Sequence, residues 1–400
     1  MMYNARINRE FHAASWHEPI IFQLGSEGER GITIPKTPAS IVEKVGGVTQ
    51  ALPESVRRKN PPRLPEMAQP QVVRHYMRLS QMCLGNDLNI DLGQGTCTMK
   101  YNPKIDEELA RSPKVTDLHP LQPEESVQGM LEMLHRAEKL FCAISGMDRF
   151  SFHPSGGTAG IFLNACLIRA YHESRGEAEQ RNEIITTIFS HPADAATPSV
   201  AGFKVVTLYP DENGYPSVEA LKAVLSERTA GLMLTNPEDT GIYNPNIKEF
   251  VDLVHAAGGL CAYDQANTNG ILGVARAKEA GFDMCHFNLH KTFGAPHGGS
   301  GPACGVVGVR DELAKFLPAP LVAFDGEKYH LDYDRPESIG KIKGFMGNAN
   351  IVLKSYAWIM SLGADGLLQA GHTATMNNNY LLSLLSKIDG VSIPYIGGKH

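Results

Sequence analysis

The chain predicts an α/β protein with a mainly parallel sheet in one large domain, and three observations carry that prediction. Short apolar runs alternate with helical patterns of roughly ten residues, the arrangement that covers a parallel sheet on both faces. Several of these runs end in hydrogen-bonding side chains, as expected where ligands meet the carboxyl edge of an open sheet. A length of 400 residues with 42% hydrophobic content is enough to bury the core such a sheet requires.

Taken in order, residues 1–80 are proline-rich and weakly periodic, broken by Pro53, Pro61, Pro62, Pro65 and Pro70, and predict an extended arm that wraps another surface. Residues 81–320 predict the large domain. Within it, 124–145 carries Met130, Leu131, Leu134, Leu140, Phe141 and Ile144 at helical spacing, with Gly146 as the stop. A strand at 149–153 and a helix at 158–172 follow, then strands at 183–189 and 203–208. A helix at 217–226 begins at Ser217, a side chain suited to capping. Next come a strand at 230–235, a helix at 247–257 stopped by Gly258-Gly259, and strands at 260–264 and 282–287. Past Pro318 and Pro320 lies a polar stretch at 329–344, then helical patterns at 350–362 and 364–385 and a strand at 391–395. Residues 321–400 are expected to form linker helices and the start of a small C-terminal domain that is incomplete.

Composition narrows the class of function. A net charge of −6 and the lack of any long Lys/Arg run argue against nucleic-acid binding, and the short clusters Arg57-Arg58-Lys59 and Arg74 to Arg78 read as solvated surface. The seven cysteines, at 83, 97, 142, 166, 261, 285 and 304, form no Cys-x-x-Cys pair and are odd in number. They suggest neither a disulfide framework nor a zinc site, and they fit a reducing cytoplasm. Residues 1–16 include Arg6, Arg9 and Glu10 without an apolar segment, so no secretory signal is expected. No apolar run reaches the roughly 18–20 residues of a membrane span.

Chemistry concentrates at predicted strand ends. Lys291 follows the apolar run 282–287 and precedes a glycine-rich turn through Gly298-Gly299-Ser300-Gly301. A lysine desolvated at such an edge is driven toward the neutral amine, which attacks aldehydes, so Lys291 is the expected Schiff-base lysine of pyridoxal 5'-phosphate. Asp264 ends a strand 27 residues earlier, and a carboxylate beside a pyridine nitrogen keeps it protonated as an electron sink. Ser155-Gly156-Gly157-Thr158 opens a helix and suits a phosphate cup. His191 follows another strand and could stack on a cofactor ring, while Thr235-Asn236-Pro237 closes a third with hydrogen-bonding groups. His290 and His297 flank Lys291 but lack carboxylate or cysteine partners at metal-ligand spacing, so no metal is expected. No Gly-x-Ser-x-Gly elbow or Walker-type loop occurs. Each feature alone also fits a structural role, as a loop hydrogen-bonder, a turn glycine pair or a satisfied histidine. Their gathering at one sheet edge is the argument.

Four blocks then point to a family: Gly95-Thr96-Cys97-Thr98-Met99-Lys100-Tyr101-Asn102-Pro103, His119-Pro120-Leu121-Gln122-Pro123-Glu124-Glu125, Asn288-Leu289-His290-Lys291-Thr292-Phe293 and Pro296-His297-Gly298-Gly299. From about residue 20 to 400 the chain resembles the glycine decarboxylase P-protein, in particular the C-terminal half that many bacteria encode as a separate subunit 2. The resemblance implies a fold-type I pyridoxal phosphate enzyme in a hetero-oligomer with a homologous subunit 1, serving the lipoyl H-protein of the glycine cleavage system. It implies Lys291 as the internal-aldimine lysine, Asp264 as partner of the pyridine nitrogen and His191 as the stacking imidazole. Ser155, Gly156, Gly157, Thr158, Thr235, Asn236, Asn267, His290 and Thr292 would bind cofactor, and Thr96, Cys97, Thr98 and His297 would line the substrate side. Glycine would lose CO2, and the aminomethyl group would pass to the lipoyl arm. The family pattern Ala-His-Gly-Thr-Asn-Pro is here Ser-His-Pro-Ala-Asp-Ala-Ala-Thr-Pro, and Asp-Gly-Ala-Asn is Asp264-Gln265-Ala266-Asn267. Ser300 replaces a glycine, and Ala303-Cys304-Gly305-Val306 stands where Gly-x-Gly-Pro is usual. These departures imply an alternative, a divergent pyridoxal phosphate decarboxylase, lyase or transferase acting on another amino acid.

Overall fold

Residues 15–82, 92–94, 97–99, 102–296 and 304–395 are described by a computed structural model. The chain divides into two compact units, residues 1–89 and 90–400. In the first, helices α1 (Ala39–Val45) and α2 (Gln69–Met82) punctuate otherwise irregular chain. Pro70 falls in the first turn of α2, where a missing N–H costs little, so this proline permits a helix that the sequence reading did not foresee. Glu18 is held by His75 Nδ1 at 2.7 Å and Arg78 Nη1 at 3.2 Å.

The second unit opens with a hairpin, β1 (Leu92–Gln94) and β2 (Cys97–Met99), and helices α3 (Lys104–Arg111), α4 (Pro113–Thr116) and α5 (Gln128–Ser145). Gly146 ends α5 in the left-handed conformation that favours glycine. Then follow β3 (Arg149–Ser151), α6 (Gly157–Ser174), β4 (Glu183–Thr187), α7 (Pro192–Val200), β5 (Lys204–Leu208), α8 (Val218–Val224), β6 (Thr229–Thr235), α9 (Ile247–Ala256), β7 (Leu260–Asp264), β8 (Met284–Asn288) and β9 (Gly305–Val309). Ser217 caps α8 by accepting the Ala220 amide at 3.1 Å.

Seven of these strands form one sheet in the order β3-β9-β8-β7-β6-β4-β5. The five from β8 to β5 run parallel, and β9 is antiparallel to both its neighbours. The chain runs from β4 out to β5 and then crosses back to β6, so the topological switch lies between β4 and β6. Side chains alternate between two cores. Along β7, Leu260 and Ala262 face the core containing Ile161 and Leu163 of α6, while Cys261 and Tyr263 face the one containing Phe141 of α5 and Phe250 of α9.

Several expectations are corrected. The polar stretch beginning at 329 contains a strand, because β10 (Leu321–Phe324) and β11 (Tyr329–Asp332) form a hairpin. β9 was not anticipated, and residues 391–395 form no strand. The last helix, α10 (Ala349–Leu385), is long and apolar enough by length and composition to cross a membrane, contrary to the reading of the sequence. Its backbone is not helical at Gly363, which has φ 62°, so it divides where the sequence placed a break. Its first part packs on α3 and α5, and Trp358 from it stands against Phe293 with ring centroids 6.2 Å apart.

Candidate active site

The carboxyl ends of β4, β6, β7 and β8 bring the predicted groups to one edge. Lys291 stands three residues beyond β8, only 4% exposed, with its backbone N–H donating to the Asn288 carbonyl at 3.0 Å. Its turn is tied to its surroundings by the Leu289 amide donating to Cys304 (2.9 Å) and the Asn288 amide donating to Ala266 (3.2 Å). Thr292 Oγ1 accepts the Thr268 amide at 2.9 Å and donates to Asn269 Oδ1 at 2.7 Å, locking that turn to the one after β7. Behind it, a Cβ on Gly294 would lie 2.5 Å from Trp358. Such anchoring limits the rotamers from which a buried lysine can act.

Asp264 ends β7, directly paired in register with His286 of β8. Its Oδ1 accepts the Ala266 amide at 2.8 Å and stands 3.3 Å from His286 Nε2, off the hydrogen-bond line. Its Oδ2 is buried without a partner. Burial pushes His286 below the ordinary imidazole range, against the pull of the Asp264 charge, so it stays neutral.

His191 follows β4 and caps α7, its Nδ1 accepting the Ala193 amide at 3.1 Å. That bond fixes the neutral ring's proton on Nε2. Three residues on, Asp194 is buried. Burial first, then the Asp264 charge, raises Asp194 well above the usual carboxylate range. A second network joins the switch-point strands: Ser190 Oγ accepts the Thr235 amide at 3.0 Å and bonds Thr187 Oγ1 at 2.7 Å, which donates to Glu238 Oε2 at 2.7 Å. Burial pushes Glu238 up to about 7 despite that hydrogen bond.

Ser155 and Gly156 lead into α6, whose first residue is Gly157, and Thr158 at its second position is exposed. A Cβ on Gly157 would lie 2.5 Å from Asn288 Nδ2, and one on Gly305 would lie 2.4 Å from the Gly156 carbonyl. The glycines thus let the start of α6 press against the end of β8, which carries Lys291. An eighteen-residue helix opening there presents free amides and its positive dipole end.

Two predicted ligands are otherwise engaged. Asn236 uses both ends of its amide on the Asn244 backbone, at 2.8 and 3.2 Å, and its carbonyl accepts from Tyr263 Oη. Asn267 is exposed, with Oδ1 accepting the Asn269 amide at 2.9 Å. His290 is buried beside Lys291. Thr96 and His297 lie outside the described residues, and Cys97 and Thr98 are described only as backbone of β2. Sequence reasoning missed Asp194, Glu238, Ser190 and His286. Strand alternation offers one signal, since it puts His286 on the face that Asp264 shares.

The class-V aminotransferase family model matches residues 153–333. Over 387 residues the chain is 46% identical to the probable glycine dehydrogenase (decarboxylating) subunit 2 of Pyrococcus abyssi (strain GE5 / Orsay), covering 96% of this chain and 75% of that one. It is 47% identical over 365 residues to the protein of the same description from Caldanaerobacter subterraneus subsp. tengcongensis, covering 91% and 74%. Among solved structures, the inhibitor-bound glycine decarboxylase (P-protein) of the glycine cleavage system superposes with a TM-score of 0.71 at 20% identity, covering 89% of this chain and 84% of that one. Glutamate decarboxylase of Lactobacillus brevis gives 0.63 at 15% identity, with 85% and 78% covered. The fold is that of the fold-type I pyridoxal phosphate enzymes.

Proposed function

The chain belongs to the glycine dehydrogenase (decarboxylating) subunit 2 family, and on that premise we propose that it decarboxylates glycine with pyridoxal 5'-phosphate and passes the aminomethyl group to the lipoyl arm of H-protein. The observation that carries this reading is the placing of a buried lysine and a buried aspartate at the ends of adjacent strands, β8 and β7, with the start of α6 against the same edge. The relatives' names favour glycine over the alternative of another amino acid.

The residues present fit the cofactor on two counts. Asp264 Oδ2 is buried without a partner, the acceptor that a protonated ring nitrogen needs, and Gly157, where a Cβ would collide with Asn288, lets the start of α6 close on the end of β8 beside Lys291. When bound, pyridoxal phosphate supplies the electron-withdrawing ring that takes up the pair left as CO2 departs. Lys291 would hold the aldehyde carbon and return a proton through Nζ. Asp264 would hold the ring nitrogen, and Ser155, Gly156, Gly157 and Thr158 the phosphate, through amides and the helix dipole. His191, oriented by its bond to Ala193, would cover the ring, with Thr235, His290 and Thr292 around it. Asn236 and Asn267 would act through the loops they shape. We assign Thr96, Cys97, Thr98 and His297 to the substrate side. On the substrate, the Cα–carboxyl bond breaks and the carbon bonds one lipoyl sulfur as the disulfide opens, so the carbon is oxidised and the disulfide reduced.

We further propose that residues 1–80 act as an arm towards a homologous subunit 1, that residues 81–320 hold the cofactor, and that residues 321–400 form linker helices and the start of a small C-terminal domain. The unpaired thiols at Cys142, Cys166, Cys261, Cys285 and Cys304 suit a reducing compartment, the cytoplasm. The test loads the protein with pyridoxal phosphate, reduces it with borohydride and maps the modified peptide, then measures CO2 release from glycine with subunit 1 and lipoyl H-protein. The expected result is label on Lys291, none in Lys291→Ala, and release only with both partners. Release from a different amino acid without lipoyl protein would overturn the glycine assignment.

A further inference from the structure

The amino ends of β7 and β8 carry a second group of chemistry-bearing side chains, at the sheet edge opposite Asp264 and Lys291. Cys261 is the second residue of β7, Asp283 directly precedes β8, and His255 lies in the last turn of α9. Asp283 Oδ2 stands 2.7 Å from His255 Nε2 and accepts the Cys261 amide at 2.7 Å. Together with the sulfur of Cys261, the three residues offer an imidazole nitrogen, a thiol and a carboxylate oxygen, all within 4.8 Å of one another. Cys261 and Asp283 are buried, whereas the His255 side chain is 34% exposed, so solvent reaches the group from the His255 side.

We propose that His255, Cys261 and Asp283 form a zinc site, with water as the fourth ligand on the His255 side. A thiolate with an imidazole and a carboxylate suits zinc, whereas magnesium and calcium take oxygen ligands. Bonds of about 2.0 to 2.3 Å in a tetrahedron set ligand atoms about 3.3 to 3.8 Å apart, so the widest pair here closes by about 1 Å, within reach of a His255 rotation. Binding needs the nitrogen and the sulfur free of protons. The ion takes the place of the proton between His255 and Asp283 and displaces the one on Cys261. The carboxylate is braced from outside, since the Cys261 amide holds Oδ2 and Arg310 Nε stands 3.6 Å from Oδ1. Arg310 is itself fixed by donating to the carbonyls of Phe282 at 2.8 Å and Gly281 at 2.9 Å. Outer contacts of this kind set a metal ligand's orientation. Spread over 28 positions, the three residues lack the close spacing by which a metal motif is read from sequence. The ion would tie α9 to β7 and β8, and the site goes beyond the pyridoxal phosphate reading without depending on it.

The experiment takes the full chain, stripped of metal under reducing conditions, and titrates it with zinc chloride against a chromogenic chelator. The proteins compared are wild type, His255→Gln, Cys261→Val, Asp283→Asn and, as a control, Cys166→Ala, whose thiol lies on α6 across the sheet from Cys261. Wild type and the control should bind one zinc per chain, and each of the other three should bind at least about tenfold more weakly. Cobalt chloride should give wild type a thiolate-to-cobalt charge-transfer band with the visible bands of a tetrahedral ion, and Cys261→Val should lose the charge-transfer band. Zinc should raise the thermal midpoint of wild type and leave that of Cys261→Val unmoved. His255→Gln changes a partly exposed side chain and Asp283→Asn keeps an oxygen for the Cys261 amide, so loss of binding in folded samples of both, checked by circular dichroism, reads the ligands themselves. Zinc held with wild-type affinity by His255→Gln and Cys261→Val would mean an adventitious ion only and overturn the site. Absence of stoichiometric binding, or a cobalt spectrum without the thiolate band, would overturn it equally and leave His255 and Asp283 a plain hydrogen-bonded pair. Failure of the pyridoxal phosphate reading shows instead as no label on Lys291, which none of these measurements reads.

Discussion

Glu238 is buried, accepts a hydrogen bond from Thr187, and has another acid, Asp239, as the charged neighbour acting on it. Its folded value of about 7 against an ordinary 4.5 sets the sign of a pH effect. Below pH 4.5 both folded and unfolded forms keep the proton and nothing is lost. Between 4.5 and 7 the unfolded chain ionises first, so stability falls as pH rises, reaching a cost of about 3 kcal/mol above pH 7. Glu238→Gln should therefore gain stability over wild type at pH 8 but not at pH 4.5, as read by urea unfolding at the two pH values. An equal difference at both would exclude the ionisation account. Lys291 and Asp264 were legible in the sequence because each ends an apolar run, and position within a run is a local property. Asp194 and Glu238 were not, because their chemistry comes from burial against side chains of other elements, which no local pattern records.

Helix α6 makes the site at the next scale, since its first residue must lie against β8. Gly157→Ala would put a methyl 2.5 Å from Asn288 Nδ2 and 2.9 Å from its Oδ1, forcing that side chain aside. The expected cost is about 1–3 kcal/mol of stability, with weaker retention of pyridoxal phosphate in equilibrium dialysis. Gly160→Ala, one turn along and 3.2 Å from His286 Cδ2, should lower stability with less effect on retention. Equal retention in both variants would show that the start of the helix has no special part in binding. The helices were readable because their caps are local: Ser217 for α8, Gly146 for α5 and Gly363 for the break in α10. The β10–β11 hairpin had a signal that went unread, Asp325-Gly326 between apolar runs. Asp325 Oδ1 accepts the Glu327 and Lys328 amides, and Gly326 takes φ 102°. The opposite error at 391–395 has a plain cause, since apolar alternation makes a strand only where a neighbouring strand offers its edge.

Across the molecule, one sheet separates two cores, and the reactive turn depends on both. Phe141 of α5 meets Phe150, Phe152, Phe287 and Phe293 with ring centroids 5.3 to 6.0 Å apart, and Phe293 lies two residues beyond Lys291. On the other face, His286 packs toward Gly160 of α6, and Asp264 is its register partner on β7. Phe141→Ala removes a fully buried ring and should cost about 3–5 kcal/mol. Every strand that carries the site faces both cores, so damage to one should release the other in the same transition rather than melt one face alone. The chain has two tryptophans, so in a Trp16→Phe background Trp358 alone reports on the α5 and α10 side, while the lysine-dependent cofactor band reports on the strand ends. Heating Phe141→Ala in that background should move both signals to the same lower midpoint. A cofactor band that survives beyond the Trp358 transition would mean that the α6 side holds Lys291 and Asp264 by itself, and that the aromatic core supports the fold without supporting the chemistry.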